Sequence, residues 1–249
     1  MATGTGNLSG VTKVWDTASW EVAASVRARG LHGGGLAFTP DGLQLASSSW
    51  DRKPARGRAA GIQLWKAADG GEVPLAPGTD FAGGVLGPDG LTLAIGGEEL
   101  RVVDIPTGRV RFSLPECGCG ALRFSPDGRL LAAARKGRDV VVCDATGGRE
   151  VRTLPGAGAA IQTAGSTMAG AEYQGMAWSR DGRQLAIRVA REKIRIWDPT
   201  TGEEGSTIEQ VGPSFAFGAD GKRLASAGGR AVRLWDTSTG REVLTRSVH

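Results

Sequence analysis

The sequence predicts an all-β protein built from stacked four-stranded antiparallel meanders. Three observations carry that expectation. Two independent residue markers recur with one base period. The runs between them are short, apolar and closed by turn residues. Glycine, at 40 of 249 residues, is spread along the whole chain rather than placed every third position, which excludes collagen and favours frequent turns.

The first marker is a triplet ending in Trp-Asp or a relic of it: Val14-Trp15-Asp16, Leu64-Trp65-Lys66, Val102-Val103-Asp104, Val142-Cys143-Asp144, Ile196-Trp197-Asp198 and Leu234-Trp235-Asp236. The Trp positions 15, 65, 103, 143, 197 and 235 are spaced by 50, 38, 40, 54 and 38. The second marker falls between them, at Pro40-Asp41-Gly42, Pro88-Asp89-Gly90, Pro126-Asp127-Gly128, Arg180-Asp181-Gly182 and Ala219-Asp220-Gly221. Its Asp positions 41, 89, 127, 181 and 220 are spaced by 48, 38, 54 and 39, so both markers lengthen at the same two places. Such self-similarity means a repeat architecture, in which each unit needs stacked neighbours to bury its faces.

The unit Phe215 to Val243 shows the template. Phe215 to Phe217, Leu224 to Ala227, Val232 to Trp235 and the run from Glu242 are four strands, here called a to d, joined by tight turns. In Pro-Asp-Gly, Pro pre-sets a turn torsion, Asp caps a backbone N–H and Gly supplies a positive φ. The Asp after Trp opens the next hairpin, which Thr-Gly or a similar pair completes. The Trp offers a large buried area and an indole N–H that needs a partner. Read in order, the units cover about 1–26 (partial), 33–76, 81–114, 120–154, 174–208 and 213–246. The partial unit has a b-strand at Met1 to Gly4, a c-strand at Val11 to Trp15 and a d-strand at Trp20 to Val26, but no a-strand. The chain is therefore expected to be a fragment of a longer array or a degenerate ring of six.

These residues resemble the WD-repeat β-propeller family in the degenerate form of bacterial arrays, over nearly the entire chain. Trp15, Asp16, Trp65, Trp197, Asp198, Trp235 and Asp236 are the repeat markers that carry the resemblance. It implies a single β-propeller domain, or a segment of one, with five complete blades plus an incomplete N-terminal blade. The family's His–Ser/Thr–Asp–Trp cluster is approximated once, by His32, Ser47 or Ser49, Asp51 and Trp65. Its Gly-His dipeptide is missing apart from Leu31-His32. The blades ending at Val103 and Cys143 have lost the Trp and are expected to rely on apolar packing.

The resemblance also implies a non-catalytic scaffold that binds protein or peptide partners across the face bearing the b–c and d–a connections. Two of these connections are long. The b–c insertion at 50–60 carries Trp50, Arg52, Lys53, Arg56 and Arg58; the d–a connection Pro155 to Tyr173 is small and weakly polar and reads first as a flexible loop, with Met168 and Tyr173 as its candidate anchors. Arg forks onto oxyanions, so the basic run suits an acidic peptide, a phosphate or nucleic acid. Charge runs are more often solvated loops than contacts. Nucleic acid or an anionic ligand is the alternative partner.

Other features exclude more than they suggest. The net charge of +4 falls short of a nucleic-acid-binding tail. No run nears the roughly 20 apolar residues that span a bilayer, so no membrane insertion is expected. Three cysteines, Cys117, Cys119 and Cys143, argue against a disulfide framework and fit a reducing, cytoplasmic setting. Cys117-Gly118-Cys119 has no second ligand pair, so no metal and no cofactor are expected. Two histidines, and no nucleophile elbow, phosphate loop or His-Glu-x-x-His helix, point to no enzyme and no catalytic residues. Basic residues two before the Trp position (Lys13, Arg101, Arg195, Arg233) are expected to lie along the sheet with solvated heads. Trp20 stands where other repeats carry Gly or Arg in the c–d turn. Local packing is the favoured reading for it, ahead of a contact surface.

Overall fold

A computed structural model describes residues 2–4, 11–27, 31–50, 62–75, 84–96, 99–115, 117–135, 139–157, 175–190, 192–212, 214–228 and 230–247, with the side chains of 2–4, 31–35, 48–50 and 118–120 outside that description. The described residues form β-strands joined by turns, in six antiparallel sheets. The first sheet has three strands, β1 (Ala2–Gly4), β2 (Val11–Trp15) and β3 (Val22–Arg27). The second orders β4 (Leu31–Phe38), β5 (Gln44–Trp50), β6 (Ile62–Lys66) and β7 (Glu72–Val73). The third orders β8 (Val85–Leu86), β9 (Thr92–Ile95), β10 (Glu99–Asp104) and β11 (Val110–Pro115). The fourth has β12 (Cys117–Phe124), β13 (Leu130–Arg135), β14 (Val140–Asp144) and β15 (Glu150–Leu154). The fifth has β16 (Met176–Trp178), β17 (Leu185–Ala190), β18 (Lys193–Trp197) and β19 (Glu204–Glu209). The sixth has β20 (Ser214–Phe217), β21 (Arg223–Gly228), β22 (Ala231–Asp236) and β23 (Glu242–Ser247).

The expected meanders are present. β1 pairs with β2 in the register Ala2↔Val14, as β5 pairs with β6 at Ala46↔Leu64, so β1 is the b-strand of a three-stranded first blade. The chain divides into two compact units, one built on the first three blades and one on the last three.

Burial follows the repeat. Leu45, Leu93, Leu131, Leu185 and Leu224 occupy one position on the b-strands of the second to sixth blades, and all are fully buried. They pair with Trp65, Val103, Cys143, Trp197 and Trp235. Each such leucine contributes about 1.5–3 kcal/mol by leaving water. The cores lie between successive sheets. In the first unit, Val14, Ala24 and Val26 pack with Leu45 and Trp65, and Ile62 packs with Leu93, Val103 and Ile105. In the second, Val142 and Leu154 pack with Met176, Leu185 and Trp197, and Ile194, Ile196 and Ile208 pack with Phe215, Leu224 and Trp235. Cys143 does lie where a Trp would, as a buried apolar residue, and burial pushes its thiol up to about 12.

The indole N–H groups find partners unequally. Trp65 donates to Ser47 Oγ at 2.9 Å and Trp235 to Ser226 Oγ at 2.9 Å. Both serines stand two residues beyond the b-strand leucine. In the fifth blade Ile187 holds that place, and the buried Nε1 of Trp197 makes no hydrogen bond among the described residues. Of the cluster expected around Trp65, Ser47 is the observed partner; the side chains of His32 and Ser49, and all of Asp51, lie outside the described residues.

A register shift just before the Trp position recurs where β2 meets β3, β14 meets β15, β18 meets β19 and β22 meets β23. One extra outer-strand residue there bends and twists the edge. The β6–β7 pair lacks the shift, running Trp65↔Glu72 then Leu64↔Val73, and Pro74 follows at once. Proline has no N–H to continue a ladder, so β7 stops at Val73.

Candidate partner-binding surfaces

Antiparallel order puts the a–b and c–d turns of a blade at one sheet edge and the b–c and d–a connections at the other. The turn edge is occupied by its own chemistry. At the c–d turns, Asp16 Oδ1 accepts from the amides of Ala18 and Ser19, Asp144 Oδ1 from Thr146 and Gly147, and Asp198 Oδ1 from Thr200 and Thr201. Asp236 Oδ1 accepts from Ser238 and Thr239. At the a–b turns, hydroxyls of Ser125 and Ser179 donate to Asp127 and Asp181 at 2.6 Å. These bonds favour the ionised carboxylate. The Ser19 and Ala18 amides hold Asp16 below the usual range, the Gly147 and Thr146 amides do so for Asp144, and the Ser179 hydroxyl with the Arg183 amide does so for Asp181.

The basic residues of the c-strands are likewise engaged along the sheet. Arg195 Nε lies 3.1 Å from Glu204 Oε1, and Arg233 Nε lies 3.7 Å from Glu242 Oε2. Arg233 Nη1 also donates to the Gln210 carbonyl at 2.9 Å, and Lys13 Nζ sits 5.7 Å from the Trp15 ring centroid. A glutamate near the start of the outer strand, repeated with the blade, neutralises both arginines.

The other edge carries the long connections. Residues 51–61 join β5 to β6, where 191–192 and 229–230 make the same join in the fifth and sixth blades. Trp50 closes β5, its backbone paired with Leu31, while its side chain lies outside the described residues. Arg52, Lys53, Arg56 and Arg58 lie outside them entirely. Residues 155–175 join β15 to β16, and Met168 and Tyr173 also lie outside the described residues. The departure point of that connection is fixed, because Asp139 Oδ1 accepts the Gly156 amide at 2.9 Å and Ala157 is buried.

Trp20 differs from the favoured packing expectation. It is 66% exposed, with a φ of +60°. Its counterparts Gly70, Gly108, Gly148, Gly202 and Gly240 share the positive φ, which glycine adopts freely and a bulky residue does not. Glycine is demanded there a second time by the neighbour. A Cβ at Gly70 would stand 2.9 Å from Val26 Cγ1, one at Gly202 would stand 2.9 Å from Arg152 Cδ, and one at Gly240 would collide with the Thr207 carbonyl. In each case the obstacle is the outer strand of the preceding blade. Trp20 thus combines a positive φ, which is strained for a bulky residue, with an exposed indole, and Val22 two residues on is also exposed. A Trp in a glycine column was the signal for it in the sequence.

No family model matches the sequence. WD repeat-containing protein 90 of Homo sapiens is 31% identical over 224 residues, which is 81% of this chain and 12% of that protein. Coronin-7 of Bos taurus is 30% identical over 218 residues, 81% of this chain and 18% of that protein. The chain thus spans less than a fifth of the length of these curated relatives. Among solved structures, the Cps50 (Swd1) beta-propeller domain of Myceliophteria thermophila aligns with a TM-score of 0.67 at 18% identity, covering 98% of this chain and 82% of that one, which shows a shared fold.

Proposed function

Because the chain is a WD-repeat β-propeller, we propose that it is a non-catalytic protein-interaction scaffold whose partner is held by the long connections at the b–c and d–a edge. Relatives of this kind generally serve as interaction scaffolds. The observation that carries the reading is the contrast between the two edges. Turn aspartates and c-strand arginines are consumed by bonds within the blades, while the two connections that exceed the repeat concentrate Trp50, Arg52, Lys53, Arg56, Arg58, Met168 and Tyr173. Blades ordered in advance lower the entropic cost of presenting several contacts at once. A cytoplasmic setting accords with the small, odd cysteine count.

Affinity capture with the wild type and with the Arg52→Ala, Lys53→Ala, Arg56→Ala, Arg58→Ala quadruple variant tests it. Loss of specific protein partners supports the reading, and an unchanged set removes the basic connection from it. Four cations in one short run favour a second reading, an anionic ligand or nucleic acid. Binding that collapses with added salt, with a log–log slope near −3 to −4 for four phosphate contacts, would mark that alternative.

A further inference from the structure

The second and third blades enclose a cleft of about 440 Å³ at the turn edge. At its inner end the blades nearly touch, since a Cβ at Gly90 would stand 2.9 Å from the Phe38 carbonyl. At its outer end they part, where β7 lacks the register shift seen at β3, β15, β19 and β23 and Pro74 ends it after two residues. The wall is apolar, formed by Leu64, Val73, Leu75 and Leu91 with Pro40, Pro74 and Pro106. Asp41 is the charged residue of the lining, and Gln44 adds an amide.

The repeat shows that this surface is particular to its place. The residue after Asp-Gly is Arg129, Arg183 or Lys222 in the last three blades, but Leu43 and Leu91 in the two that flank the cleft. Leu91 lines it, and Leu43, in the same turn as Asp41, is 68% exposed. Asp41 Oδ1 already accepts from the Thr39 hydroxyl and the Leu43 amide, which fixes the carboxylate and keeps it ionised. A clamped anion at the mouth of an apolar wedge is complementary to a greasy side chain beside a cation.

We propose that this cleft docks an extended peptide that inserts a leucine- or phenylalanine-sized side chain among Leu64, Val73, Leu75 and Leu91 and sets an adjacent lysine or arginine against Asp41. The site is distinct from the long connections and stands whether or not they bind a partner. Its volume falls within the roughly 300–1,000 Å³ of ordinary ligand pockets and holds more than one side chain.

Methyl-resolved NMR of the whole chain, titrated with three synthetic tripeptide amides, tests the proposal. The probes are acetyl-Leu-Leu-Arg-amide, acetyl-Leu-Leu-Glu-amide and acetyl-Gly-Gly-Arg-amide. Saturable shifts of the Leu64, Val73, Leu75 and Leu91 methyls are expected with the first. The second should bind about threefold more weakly, the scale of one exposed ion pair, and the third should leave these methyls unmoved. Asp41→Asn, which keeps the turn-capping side chain, should erase the difference between the Arg and Glu peptides. Pro106→Trp should fill the cleft and abolish the shifts while the remaining spectrum stays native. The proposal is overturned by unmoved cleft methyls at about millimolar peptide, the weak limit of useful recognition. Equal response to the Arg and Glu peptides also overturns it, because the site is then a general apolar pocket. So do cleft shifts that grow with protein concentration alone, which mark a second copy as the occupant.

Discussion

Ile187 occupies, beside Trp197, the place that Ser226 occupies beside Trp235 and Ser47 beside Trp65. The same indole is therefore hydrogen-bonded in the second and sixth blades and not in the fifth. Unfolding free energies should separate the two situations. Trp235→Phe strands the Ser226 hydroxyl and Ser226→Ala strands the Trp235 N–H, and each should cost about 1–3 kcal/mol beyond any packing loss. Trp197→Phe removes a donor that has no partner among the described residues, so it should cost less than Trp235→Phe by about that amount. Urea unfolding of the three variants reads this directly.

The buried Arg188 gives a second test. It is 1% exposed, donates from Nη2 to the Gly212 carbonyl at 2.7 Å and lies 5.2 Å from the Phe215 ring centroid. It ties β17 to the segment that leads into the sixth blade. Lysine cannot reproduce the planar fork and its stacking. Arg188→Lys should destabilise by about 1–3 kcal/mol, and Phe215→Leu by about 1 kcal/mol or more from the lost cation–π contact and the shape change. Removing both should cost less than the sum, a coupling that a double-mutant cycle measures.

Acid should destabilise the protein. Asp16, Asp41, Asp144, Asp181 and Asp236 all titrate below their usual range because turn amides and hydroxyls bind their ionised forms. A carboxylate lowered in the folded state contributes stability above the unfolded value of about 3.9 and loses it as pH falls through the lower folded values. Circular dichroism should report full stability near neutrality and loss below about pH 4. Asp144→Asn and Asp181→Asn should flatten that acid slope by lowering stability at pH 7, where the ionised carboxylate contributes it, and should differ little from the wild type in acid.

Trp20→Gly should make the protein more stable by about 1 kcal/mol, since a positive φ costs glycine little and a bulky residue about 1–3 kcal/mol. If the displayed indole serves recognition, the same variant should lose partners in the affinity capture that tests the long connections. Gain of stability with loss of binding is the usual signature of a strained functional residue. Unchanged partners would leave Trp20 as strain without use.

Much of the fold was legible because turn chemistry is local. Pro-Asp-Gly and Trp-Asp announce their hairpins in a few residues, so strand order and the b-strand identity of β1 followed from spacing. What depends on the partner strand was not legible. The lost register shift beside β6 appears only when Glu72 and Val73 are seen against Trp65 and Leu64, and the cleft only when Pro74 and Pro106 are set side by side. The orphaned N–H of Trp197 needed the register that places Ile187. Trp20 is visible in the sequence as an aromatic in a glycine column, but its exposure depends on the tertiary surroundings and not on the local turn. The long connections remain candidates on their composition.

The crowded glycines also bear on how such a chain can be recombined or extended by duplication. Gly240 is crowded by the Thr207 carbonyl, Gly202 by the Arg152 side chain and Gly70 by Val26, so these three c–d turns are fitted to the outer strand of the blade before them. A cassette cut at blade boundaries would separate a turn from the strand it was shaped against. The transferable module is therefore staggered, running from one outer strand through the following c–d turn, and grafts made in that frame should tolerate exchange where whole-blade grafts fail.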